Sequence, residues 1–254
     1  MIGFLIRKTI YDLWDNMFRI VLINVGFLIV SAIPVGLHFL FKLPPEIMLI
    51  LGIILCSVYL SAAALSVKTI SDYSSFGFGD FFAAFKDALP AGLAMSVVII
   101  LLFLMAGTVI PFYLTIDSPI GLLLAALVFW VMIFALLSLQ FYFAVRARLA
   151  TNLFKIFKKC FLVSLDNTGL AVFSLLHNFA ALLLSAVFAF LFPGPGGILL
   201  FLDEALRLRL LKYDWLEANP GSDRRKIPWD ALLIEEREKT GIRSLKNFIF
   251  PWKD

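Results

Sequence analysis

The sequence predicts an all-α polytopic membrane protein with six transmembrane helices, paired as three hairpins, and amphipathic interfacial helices on the cytoplasmic side. Three observations lead there. The 254-residue chain is 61% hydrophobic and only 16% charged, far from the soluble average of about half apolar and a quarter charged. Apolar runs of about 20 residues, enough to cross a hydrocarbon core of about 30 Å, recur along it. Its basic residues are also distributed unevenly between alternate connections.

Arg7 and Lys8 precede the first apolar run, Ile20 to Phe41. That run is too long for a signal peptide, and no small-residue cleavage site follows, so an uncleaved first span is expected. Four further runs, Ile47 to Val67, Ala91 to Tyr113, Ile120 to Val145 and Leu170 to Phe192, supply spans two to five. Proline-bearing turns close each pair: Pro44-Pro45, Pro111 with Pro119, and Pro193 with Pro195.

Of the 22 Lys and Arg residues, three precede the first span, two lie between the second and third, and five lie between the fourth and fifth. Eleven follow Leu206, and only Lys42 falls in the alternate set of connections. Basic residues are retained on the cytoplasmic side, so both termini are expected there. A five-span chain would put the basic tail outside. A sixth span, Ile198 to Ala218, returning from an outer turn at Pro193 to Gly197, restores the bias and divides the chain into a transmembrane domain, 1–218, and a cytoplasmic tail, 219–254.

Three stretches read as interfacial helices. The first carries Ile10, Leu13, Trp14, Met17 and Phe18 on one face, and the second Phe78, Phe81, Phe82, Phe85 and Leu89, with Asp80 as its N-cap. The third has Leu153, Ile156, Phe157, Cys160 and Phe161 on the apolar side, with Lys155, Lys158 and Lys159 opposite. Those lysines are candidates for anionic-lipid headgroup contact, each contributing about 1 kcal/mol near a charged surface, or for topology retention alone.

The residues of chemistry are sparse. His38, His177, Asn24 and Gln140 are the conspicuous polar groups of the first five spans. Histidines without an acidic companion read as interhelical hydrogen-bonding groups and not as a metal site or proton relay. Cys56 and Cys160 have no metal or redox spacing. No nucleophile elbow, zinc motif or phosphate loop occurs, so no catalytic residue, metal or cofactor is assigned. The basic residues lie in membrane loops, which excludes nucleic acid from the expected partners.

The predicted sixth span differs. Asp203, Glu204 and Arg207 lie on neighbouring faces, with the arginine within i+3 and i+4 reach of both acids. Charge in hydrocarbon costs about 2.5 to 3.5 kcal/mol per group even on lenient scales. The three groups are therefore either a self-neutralised cluster that fixes helix register or part of a solute or ion path.

The tail carries two Pro-Trp pairs, Pro228-Trp229 and Pro251-Trp252. A short helix from Asp230 to Lys239 is expected, bearing Leu232 and Leu233, followed by Phe248, Phe250 and Trp252 in a second apolar set. A segment this short cannot bury a core of its own. It docks either on its own cytoplasmic face or on a partner, where aromatic anchors in a charged surround make binding hot spots.

The stretches "GDFFAAFKDAL", "FYFAVRARLATNLFKIFKKCF" and "LLFLDEALRLRLLKYDW" resemble the YesL-like family of small multi-pass bacterial membrane proteins over about residues 10 to 215. That family has no established catalytic residues. The resemblance implies a non-enzymatic accessory or scaffold subunit of a carbohydrate ABC-type transport system in the bacterial inner membrane. Its partners would be lipids and importer subunits; the alternative is a small solute or ion carrier.

Overall fold

The computed structural model describes residues 1–74, 78–149, 152–224 and 226–241. Its elements are α1 (Ile2–Asp15), α2 (Met17–Phe41), α3 (Pro45–Ser71), α4 (Phe78–Leu104), a π-helical turn (Met105–Val109), α5 (Ile110–Leu114) and α6 (Pro119–Leu139). They continue as α7 (Tyr142–Leu149), α8 (Leu153–Asp166), α9 (Thr168–Val187), α10 (Gly194–Ala218), α11 (Trp229–Leu232) and α12 (Ile234–Thr240). Every described element is helical. Five segments are long and apolar enough to cross a membrane: Met17–Phe41, Pro45–Ser71, Phe81–Leu114, Pro119–Leu139 and Thr168–Val187. The charges of α10 keep it out of that set.

The two ends of the bundle differ. Lys42, Glu46 and Asp117 are the charged residues near the α2–α3 and α5–α6 connections, called here the far end. The opposite, basic end gathers α1, the end of α3, α7, α8 and most of α10. The core lies toward the basic end. Thirteen of the 25 residues of α10 are buried, whereas α6 buries only Gly121, Ala125, Ser138 and Leu139. Leu122, Leu123, Leu127 and Trp130 of α6 instead face outward, as side chains directed at hydrocarbon do.

Close packing begins with small residues. Ser61, Ala62, Ala63, Ala64 and Ser66 of α3 are all buried, and Gly92 brings α4 against α3 so closely that a Cβ there would lie 2.4 Å from the Val58 Cα. Such approaches allow membrane helices to associate through dispersion contacts alone. Gly92→Ala should therefore push α4 off α3 and cost about 1–3 kcal/mol, read as a lower melting temperature in detergent. Gly107→Ala, whose Cβ meets nothing within 4 Å, is the matched control and should melt like the parent.

The interfacial expectations meet the structure unevenly. The second stretch is continuous with the span after it, because α4 runs through Pro90 without ending; the side chains of Phe78 and Asp80 lie outside the described residues. On α1 the buried face is Phe4, Leu5, Lys8, Thr9 and Asp12, while Ile10, and Phe18 at the start of α2, are exposed. Polar groups of α1 thus turn inward, toward partners on α10. On α8, Ile156 and Cys160 are buried, Lys155 and Lys158 are exposed, and Lys159 is half-buried.

Candidate functional site

Asp203, Glu204 and Arg207 stand at the basic end of the bundle, and each is paired with a different element. Arg148 of α7 donates from Nε to Asp203 Oδ1 at 2.8 Å and from Nη2 to Oδ2 at 2.5 Å. That is the planar two-point geometry in which guanidinium and carboxylate bind best. Arg148 also reaches Asp72 Oδ1 at 3.0 Å and the Ser71 hydroxyl at 3.0 Å, just past α3 and at its last residue. Burial would lower the Arg148 pKa, but Asp203 and Asp72 outweigh it and hold the group charged.

Glu204 is fully buried against α1. Thr9 donates its hydroxyl to Glu204 Oε2, and Lys8 Nζ lies 3.5 Å from Oε1 while pairing with Asp12. The Lys8 ammonium also sits 4.6 Å from the centre of the Tyr73 ring, a favourable cation–π position. Burial by itself would lower the Lys8 pKa; Glu204 and Asp12 raise it instead.

Arg207 turns away from the acids of its own helix. It donates to Asp72 Oδ1 at 2.9 Å, to the Ser71 carbonyl, and to Glu236 Oε1 of α12 at 2.6 Å. The expected pairing within α10 is thus replaced by cross-links to α1, α7, α12 and the end of α3. The physical reason is burial: removal from water favours the shortest complete pairing, and partners on neighbouring helices reach the acids more directly than Arg207 does. Among the described residues this lattice joins Lys8, Arg148 and Arg207 to Asp12, Asp72, Asp203, Glu204 and Glu236. It ties the end of each long hairpin to α10.

A second contact secures the lower part of α10. Lys212 donates to Asp166 Oδ2 at 2.7 Å, and the Tyr213 hydroxyl lies 3.0 Å from the same oxygen. Burial would raise the Asp166 pKa, but these two donors bring it below the ordinary carboxylate value. Of the candidate headgroup lysines, Lys159 donates to the Leu149 carbonyl at 2.9 Å and so satisfies the C-terminus of α7. Lys155 and Lys158 remain exposed.

The tail lies on its own chain through residue 241. Leu233 is fully buried, Trp229 packs against the core with the Arg209 guanidinium 5.3 Å from its ring, and Leu232 is half-buried. Thr240 lies 3.4 Å from the Tyr73 hydroxyl. Phe248, Phe250 and Trp252 lie outside the described residues. Glu236 is the polar half of this docking. Glu236→Ala leaves Arg207 with Asp72 and the Ser71 carbonyl, and is expected to cost about 1–2 kcal/mol and to speed tryptic cleavage after Arg237 and Lys239 several-fold. Cleavage at the parental rate would show that the packing of Leu233 and Trp229 holds the tail without the Arg207–Glu236 pair.

Sequence reasoning missed Lys8, Asp12, Asp72 and Arg148 as partners of α10, and Asn24 as the clamp of the Pro-Gly segment. Asn24 donates to the Leu191 and Pro193 carbonyls at 2.9 and 2.8 Å, and its Oδ1 accepts from the Gly196 N–H at 2.7 Å. An asparagine inside an otherwise apolar run was the available signal. His38 accounts for itself locally, its Nδ1 lying 2.7 Å from the Leu43 carbonyl, whereas His177 stacks on Phe201 with centroids 3.7 Å apart.

A cavity of about 580 Å³ lies between α2, α3, α4, α6, α9 and α10. Its wall is apolar except for Gln140 and Asn178, which bond to each other at 3.2 Å. Among the described residues, no three His, Cys, Asp or Glu side chains are placed to hold a metal ion.

Fold and site together define an all-helical chain with several membrane-crossing-length helices, cross-tied at one end by a buried salt-bridge lattice. The sequence matches no protein-family model, and neither a curated protein nor a solved structure is significantly similar to it.

Proposed function

We propose that this protein is a non-enzymatic, multi-pass component of the bacterial cytoplasmic membrane, acting as an accessory or scaffold subunit of a transport system. The basic end faces the cytoplasm in this reading, with both termini there, since basic residues are retained on that side. Six crossings in three hairpins satisfy the basic-residue distribution; four crossings and a hairpin that returns to its own side satisfy it equally. The YesL-like resemblance adds carbohydrate ABC importer subunits as the expected partners, with membrane lipids around Lys155 and Lys158.

The observation that carries this reading is the pairing of Asp203, Glu204 and Arg207. Each is tied to another element of the same chain, as a structural joint requires, and none of their hydrogen-bond partners lines the cavity. The carrier alternative is favoured by the cavity itself, whose wall includes Leu202 beside Asp203.

Neutralising all three groups (Asp203→Asn, Glu204→Gln, Arg207→Gln) separates the two. A scaffold should lose thermal stability and its co-purifying membrane partners in mild detergent. A carrier should lose thermal stability as well, because Arg148 and Lys8 lose buried partners, but should keep its co-purifying partners and lose flux in proteoliposomes, which would sink the scaffold reading.

A further inference from the structure

We infer that α9 and α10 form a re-entrant hairpin: it enters and leaves the membrane at the basic end, and its Phe188–Pro193 tip is embedded in the hydrocarbon without reaching the far side. The two helices are antiparallel along their length. Asn167 donates to the Tyr213 hydroxyl at 2.6 Å, His177 stacks on Phe201, and the Gly194 N–H donates to the Ser185 hydroxyl at 2.9 Å. Both helices therefore have their outer ends at the basic end, where Lys212 meets Asp166.

The depth of the tip follows from two independent rulers. Asn24, which holds the turn, is the eighth residue of α2. At ~1.5 Å per residue it stands about 10 Å from Met17 and about 26 Å short of Phe41 at the far end. Tyr59 of α3 donates to the neighbouring Ile23 carbonyl at 2.7 Å; it is the fifteenth residue of α3, hence about 21 Å from Pro45. A turn that stops more than 20 Å short of the far end of two helices of crossing length does not emerge there.

The chemistry of the turn agrees with that depth. In hydrocarbon, irregular backbone is tolerated only where protein satisfies it. The Leu191 and Pro193 carbonyls and the Gly196 N–H bond to Asn24, the Gly194 N–H to Ser185, and the Gly197 N–H to Pro193 O at 3.0 Å. Pro193 and Pro195 bring no N–H to satisfy. Outward from this turn point Phe179, Leu183, Val187 and Phe188, all exposed: a surface that suits acyl chains and not water. The lack of basic residues in the turn, which suggests an outer loop, is equally what a tip buried in lipid requires.

The test uses the full chain with Cys56→Ser and Cys160→Ser, and single cysteines at Phe188 or Val187 (tip), Asp117 (far end) and Asn219 (end of α10). Membrane-impermeant maleimide is applied to intact cells and to inverted vesicles, and Phe188→Cys is also spin-labelled in proteoliposomes. The expected result is labelling of Asp117→Cys and Asn219→Cys from opposite sides. Both tip cysteines should label slower than Asp117→Cys by an order of magnitude or more from its side, and the nitroxide should collide with oxygen in preference to a water-soluble nickel chelate. Tip labelling from the Asn219 side alone also supports the hairpin, with a water path from that side. Labelling of either tip cysteine from the Asp117 side at a comparable rate overturns it.

Discussion

Replacing Arg148 by alanine should be the most damaging single change at the basic end. Its side chain is only 9% exposed and that of Asp203 only 2%, so the substitution strands a carboxylate in the interior and removes a link to Asp72 as well. Breaking a buried pair in this way costs about 3–5 kcal/mol, which for a chain of this size lowers the melting temperature by about 10 °C. Arg148→Lys should lose less, because a lysine keeps the charge and forfeits the two-point geometry. Arg148→Ala combined with Asp203→Asn should recover part of the loss, since the stranded charge is gone. An unchanged melting curve for Arg148→Ala in detergent would remove the lattice as the joint between α3, α7 and α10.

Asn24→Leu is the second large expectation. The substitution keeps size and removes the acceptor and donors that serve three backbone groups of the turn. An unsatisfied buried polar group costs about 1–3 kcal/mol, so a loss of about 3 kcal/mol or more is expected, visible as lower thermal stability and as faster hydrogen exchange in 188–197. Gly194→Ala should echo it, because the new Cβ would lie 2.3 Å from Asn24 Nδ2 at a residue whose φ is +61°. Ser31→Ala, on the same helix, removes only a bond to its own helix backbone and should be nearly silent. If Asn24→Leu is equally silent, the turn is held by packing alone.

Much of the fold was legible because hydrophobic length is a local property. The runs beginning at Ile20, Ile47, Ala91, Ile120 and Leu170 each contain a helix long enough to cross a membrane. One boundary was hidden: the run from Ile120 to Val145 is interrupted after Leu139, where Gln140 donates to the Ala171 carbonyl at 2.8 Å. The break thus coincides with a contact 31 residues away. The small residues from Ser61 to Ser66 announced close packing through their size alone.

The site was legible in part. Its α10 members stood out because charges in an apolar run are conspicuous, yet their partners did not. A helical wheel sees only neighbours three or four residues away, and so paired Arg207 with the acids of its own helix. The actual partner of Asp203 is 55 residues distant and those of Glu204 are 195 and 196 residues distant. Such pairings are set by which helix ends meet, and nothing local encodes that.

The sequence by itself determined the helical class, the apolar segments and the uneven basic residues, because these follow from composition and periodicity along the chain. Tertiary structure alone decided which charge meets which, that the tail lies on its own chain up to residue 241, and that the Pro-Gly segment stops beside Asn24. Each of these depends on how far one helix slides past another. Packing and the need to satisfy buried polar groups fix that offset.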